Sequence, residues 1–148
     1  MRVWAFVAMT AAMWGQVGEP RAQKIERFPG VAVVGQYRVT ARIPDDPERR
    51  ALGGSGGPML DITVQDRRTG KRVEFETQGW RVVVEPKAEG MPEVRVWTKS
   101  SVTLHVRCDY RFEGGVYCMR QCAEYEQGEK RYERNRTPVR RMGCEAGR

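Results

Sequence analysis

At 148 residues the chain has the length of one domain, and with 40% apolar and 30% charged residues it is composed like a globular protein and not like a disordered one. The net charge is +7, carried by 21 Arg against 5 Lys, and acidic residues are interspersed throughout. Arginine makes planar, bidentate contacts with carboxylate or phosphate, so an anionic partner fits the charge; a GC-rich codon bias and ordinary solubility fit it too.

Residues 1–22 read as a signal peptide. Arg2 is followed by Val3 to Trp14, an apolar run interrupted only by Thr10. That run is shorter than the roughly 20 apolar residues a bilayer crossing needs. The small residues Ala12, Gly15, Gly18 and Ala22 place cleavage between 12 and 23 without singling out one bond. Removing 1–22 takes away Arg2, Arg21 and Glu19 and leaves a net charge of +6 on a single β-rich domain, 23–148. The four cysteines, Cys108, Cys118, Cys122 and Cys144, fit two disulfides in a secreted or periplasmic protein.

Past the leader, Pro29-Gly30 opens a long alternating run. Val31, Val33, Tyr37, Val39, Ala41 and Ile43 share one face and Gln36, Arg38, Thr40 and Arg42 the other, which predicts one half-buried strand. Pro44 to Pro58 holds three prolines and four glycines and predicts a loop without regular structure. Leu60, Ile62 and Val64 make the next strand; a turn around Thr69-Gly70 returns it through Val73 and Phe75. Trp80, Val82 and Val84 alternate up to Pro86, and Ala88 to Pro92 breaks the chain again. Val94 and Val96 open a short strand. The clearest alternation then sets Val102, Leu104, Val106, Cys108, Tyr110 and Phe112 towards a core and Ser101, Thr103, His105, Arg107, Asp109 and Arg111 towards solvent. Six strands at near-regular spacing predict an all-β antiparallel sandwich, immunoglobulin-like in architecture, with a disulfide-stapled C-terminal extension from about residue 116. Residues 116–136 read as strand or irregular, since Gln127-Gly128 suits a hairpin turn while Glu124 to Arg134 also suits a helix.

If strand 102–112 turns back through Gly114-Gly115-Val116, Cys108 falls opposite Cys122 and Phe112 opposite Cys118. This register favours bridges 108–122 and 118–144, but it also aims Arg120 at the core, so all three connectivities stay open. The cysteine spacings of ten, four and twenty-two do not match a zinc site, and no metal or cofactor is expected.

Gly53-Gly54-Ser55-Gly56-Gly57-Pro58 resembles, but for one residue, the Gly-Asp-Ser-Gly-Gly-Pro motif around the nucleophile of chymotrypsin-like serine proteases. The resemblance is local: those enzymes are much longer, their histidine and aspartate precede the serine, and here the only histidine, His105, follows it. The segment reads as a flexible loop and His105 as a solvent-facing residue. No acid and base pair stands out, which argues against an enzyme.

Lys130, Arg131, Arg134, Arg136, Arg140 and Arg141 make the tail a candidate anion-binding site. Tyr132 adds a stacking ring, but export argues against nucleic acid as the normal ligand. Asn135-Arg136-Thr137 fits a glycosylation sequon. The function expected is therefore an exported, non-catalytic binding module whose partner is a protein or an anionic surface polymer. The alternatives are a small hydrolase, or an envelope protein that associates with copies of itself through sheet edges.

Overall fold

The computed structural model describes residues 21–126 and the backbone of residues 133–137. Residues 1–20 of the expected signal peptide, the end of the tail and Cys144 lie outside the described residues, as do Lys130, Arg131, Arg140 and Arg141.

Two antiparallel sheets face each other. In the smaller, β2 (Gly30–Val34), β3 (Tyr37–Arg42), β4 (Met59–Asp66) and β5 (Arg72–Gln78) pair in chain order. In the larger, β6 (Arg81–Glu85), β7 (Glu93–Lys99), β8 (Leu104–Glu113), β9 (Val116–Glu126) and β10 (Glu133–Thr137) also pair in order, and β1 (Gln23–Ile25) adds to β6 at the edge. The all-β expectation holds, with ten described strands where six were expected. No described helix is long and apolar enough to cross a membrane.

Alternation builds the core. Val39, Ala41, Ile62, Val64, Val82, Val84 and Val94 are fully buried between the sheets, and burying each Val or Ile contributes about 1.5–3 kcal/mol. An aromatic cluster closes one side: Phe75 of β5 lies 4.9 Å from both Tyr110 of β8 and Tyr117 of β9. The hydroxyls of that cluster keep polar partners, Tyr110 with Thr77 Oγ1 at 2.8 Å and Tyr117 donating to the Pro92 carbonyl at 2.8 Å. Burial pushes both tyrosines above the ordinary phenol value.

Four expectations are corrected. The run from Val31 to Ile43 is a hairpin, because Gly35 at φ +57° makes a two-residue turn with Gln36. The turn reverses the phase, so Ala32 and Val34 face the core and Val31 is half exposed. Within Pro44 to Pro58, residues Pro47–Ala51 form a short helix, α1. Asp46 caps it by accepting from the Glu48 amide, and Pro47 occupies the first turn, where its missing N–H costs nothing.

The third correction is the β8–β9 register. Gly114 and Gly115, both at positive φ, make the turn, and Cys108 pairs with Cys122. A bulge between Asp109 and Tyr110 shifts the intervening pairs by one, so Phe112 faces Tyr117, and Cys118 faces Arg111. The extra residue is Arg120, which pairs with Glu113 at 2.6 Å instead of entering the core. Cys108 and Cys122 are bridged, Cys118 is also disulfide-bonded, and no described cysteine is free. In 116–136, the strand reading holds for β9 and for the start of β10.

The fourth concerns β8, whose polar side is not uniformly wet. Asp109 is only 2% exposed. Val102, assigned to the core, is instead 87% exposed in the loop before the strand.

Candidate functional site

Directly paired residues share a sheet face. Val82, Val96, Cys108 and Cys122 form one row towards the core. The opposite, outer face carries Arg81, Trp97, Arg107 and Ala123 in one row, and Val83, Arg95, Asp109 and Gln121 in the next. Lys99, His105 and Tyr125 form a third row, towards the β7–β8 loop.

Half of this face is charge-matched. Arg95 contacts Glu85 at 3.3 Å, Glu93 at 3.2 Å and Asp109 at 3.7 Å, and Arg111 donates to Glu93 at 2.8 Å. Gln121 donates to Asp109 at 3.2 Å. Burial alone would raise the Glu93 carboxyl, but the bonds from Arg111 and Arg95 outweigh it and hold Glu93 below the usual carboxylate value.

The other half is aromatic and cationic. Arg81 lies 4.5 Å from the centroid of the Trp80 ring and Lys99 5.4 Å, while His105 meets the same ring edge-on at 5.6 Å. Trp97 and Tyr125 contact each other at 4.9 Å, and the Arg107 guanidinium lies 5.9 Å and 5.3 Å from their rings. These distances are those of cation–π attraction, and they hold the cations in place. Arg81 is neutralised by Glu26 at 2.7 Å. Nε of Arg107 approaches Asp109 at 3.0 Å without hydrogen-bond alignment, while its terminal nitrogen donates to the other carboxylate oxygen at 3.3 Å. Lys99 has no carboxylate partner among the described residues.

The glycine-rich loop helps to position this corner. Gly57, at φ +131°, packs so closely that an added Cβ would come within 2.6 Å of Gly79, the residue before Trp80. The Lys99 amide donates to the Gly56 carbonyl at 3.1 Å and the Gly79 amide to the Pro58 carbonyl at 3.1 Å. The loop is thus a packing element. The ring that His105 meets is Trp80, which leaves the protease resemblance without a histidine and aspartate arrangement. His105 is half-buried against that ring, a correction to the solvent-facing expectation.

Of the expected anion-binding residues, Arg134 and Arg136 fall in β10, on the sheet edge beside β9, with Glu133 opposite Tyr125 and Arg134 opposite Glu124. No group of metal-ligating side chains is found among the described residues. The aromatic–cationic corner was not singled out from sequence. Its signal is there, since Trp97 and Lys99, and His105 and Arg107, each sit two apart in adjacent strands. Trp80, read as the first core position of its strand, precedes β6 and turns to the outer face.

The chain matches no known protein family, no curated protein and no solved structure with which it was compared.

Proposed function

We propose that this protein is an exported, non-catalytic binding module whose partner is a protein or an anionic surface polymer. The observation that supports the reading is the aromatic and cationic half of the larger sheet's outer face, where Arg81, Lys99 and Arg107 lie on Trp80, Trp97 and Tyr125; Arg81 and Arg107 are already paired with Glu26 and Asp109, and Lys99 has no carboxylate partner among the described residues. Cations ordered in this way lose little side-chain freedom when an anion arrives. The basic tail, whose β10 pairs with β9, supplies a second, cationic contact for the anion in the same proposal.

Export belongs to the proposal as well; the Cys108–Cys122 bridge is compatible with an oxidising compartment. So does the immunoglobulin-like label, supported by two facing antiparallel sheets and opposed by their nearly consecutive strand order.

The test is retention on immobilised polyglutamate and polygalacturonate. The proposal expects binding at about 0.1 M salt, where screening sets in beyond about 10 Å, and release near 1 M, where that distance is about 3 Å. Passage through both columns at low salt would contradict it.

A further inference from the structure

The described edge strands of the two sheets are not equally guarded. β1 is three residues long and carries Lys24, β5 carries Arg72, Glu74 and Glu76, and β10 carries Glu133, Arg134 and Arg136. Short length and charge are the usual means by which a sheet edge is kept from pairing with another chain. β2 reads Gly30-Val31-Ala32-Val33-Val34, without proline or charge, and its Val31 is 50% exposed.

The register shows which backbone groups β2 leaves open. The Arg67 amide donates to the Gln36 carbonyl at 2.7 Å, so Arg38, Thr40 and Arg42 of β3 turn their backbone groups to β4, while Tyr37, Val39 and Ala41 turn theirs to β2. The partners of those three are Val34, Ala32 and Gly30. Val31 and Val33 therefore aim their N–H and C=O groups away from β3, to a side where no described strand pairs with them.

This open edge is its own complement. About a two-fold axis at Ala32, an antiparallel second copy sets Val31 opposite Val33 of the second copy, and Val33 opposite its Val31. Every outward N–H then meets an outward C=O, and the side chains brought together are apolar and β-branched. Pro29, the next residue on that side, has no N–H, so the ladder stops there. A foreign strand would be selected by pockets for its alternate side chains. The cavities lined by Thr40 and Arg42, by Phe28 and Ile43, and by Val34 and Tyr37 include neither Val31 nor Val33.

We propose that the protein pairs with a second copy of itself through β2, joining the two smaller sheets into one continuous sheet. A five-residue strand makes a small contact beside the roughly 1,200 Å² of a standard interface, so the dimer is a reversible one with a Kd of about 10–100 μM. The pairing uses no residue of the larger sheet's outer face, and a polymeric anion would meet two such faces at once.

The experiment is sedimentation equilibrium of the exported, oxidised protein from about 1 μM to about 1 mM. Val31→Lys places a charge on the edge, and Val31→Pro removes one outward N–H while leaving the β2–β3 ladder intact. Glu74→Pro is the matching change on β5, where the bond from the Asp66 amide to the Lys71 carbonyl sets Glu74 outward. Each variant is first checked for unchanged melting; Val31 is half exposed, so Val31→Lys is expected to fold. The expected result is a mass rising from one chain to two, with dimerisation weakened about tenfold or more by both Val31 variants and unchanged by Glu74→Pro. Because both copies are basic, dimerisation should strengthen with added salt, the reverse of anion binding, so failure of one proposal is distinct from failure of the other. A one-chain mass throughout, a dimer indifferent to both Val31 variants, or growth beyond two chains would overturn the proposal.

Discussion

Lys99 and His105 are direct cross-strand partners between β7 and β8, and both touch the ring of Trp80, which lies outside either strand. A residue from the β5–β6 connection is thereby clamped onto the end of the larger sheet. The clamp depends on the approach of Gly57 to Gly79 on one side and on the pairing of Arg81 with Trp97 on the other.

That approach makes Gly57 sensitive to substitution. Gly57→Ala would combine an unfavourable φ with a Cβ driven into the backbone of Gly79. It is expected to cost about 1–3 kcal/mol and to change the tryptophan emission as Trp80 shifts. Gly70 also has positive φ but has open space around it, so Gly70→Ala should cost less and leave emission unchanged. Equal effects of the two variants in a denaturant titration would count against the clamp.

Asp109 sits between Arg95 and Arg107 and is almost fully buried on the outer face. Asp109→Ala would take from Arg107 its carboxylate partner among the described residues, remove one of three from Arg95, which keeps Glu85 and Glu93, and remove the acceptor for Gln121. Because the arginines keep some solvent contact, the expected loss is about 2 kcal/mol, below that of a fully buried pair. A change under about 0.5 kcal/mol, the usual range for surface substitutions, would show that the network is not structural.

Acid should destabilise the fold through Glu93 and Asp66. Burial acts to raise both carboxyls, and hydrogen bonds outweigh it: from Arg111 and Arg95 to Glu93, and from the Arg68 and Thr69 amides and Gln36 to Asp66. Each folded-state value is therefore lower than the unfolded one. The stability they contribute is complete above the ordinary carboxylate range of about 4, and it is lost as pH falls through the lowered values. Melting temperature followed downward from pH 6 should decline below about pH 4, and Glu93→Gln should flatten that decline. A Glu93→Gln profile parallel to that of the unmodified protein would contradict the assignment.

The Cys108–Cys122 bridge closes a segment with a sequence separation of 14. Replacing both cysteines by serine should cost about 3 kcal/mol, the loop-entropy value for that length, with the two strands still paired through their backbone. Unchanged denaturation midpoints for the oxidised proteins would exclude a stabilising role.

Much of the fold could be read from alternation, and its failures are physical. The strands at Leu60, Val73 and Val94 follow a period of two because one face of each is buried. Cys108 opposite Cys122 follows from the turn at Gly114-Gly115. A Gly-Gln turn inside an unbroken alternating run preserves the pattern while reversing its phase, so Gly35 gave no visible interruption. Arg120 aimed at the core was a legible conflict, and the bulge resolves it. Asp46-Pro47 is a helix start hidden among loop residues. The candidate site was harder to see. Strand pairing brings Trp97, Arg107 and Tyr125 together from three strands, and Trp80 reaches the outer face only because its backbone precedes the regular strand.

The measurement that tests the account most directly is a titration of ¹⁵N-labelled, oxidised protein with poly-L-glutamate, following the indole N–H resonances. Shifts of the Trp80 and Trp97 indole signals are expected as an anion seats on the cations beside their rings, both suppressed at high salt. Salt-sensitive shifts confined to residues 130–141, with the Trp80 signal unmoved, would contradict it.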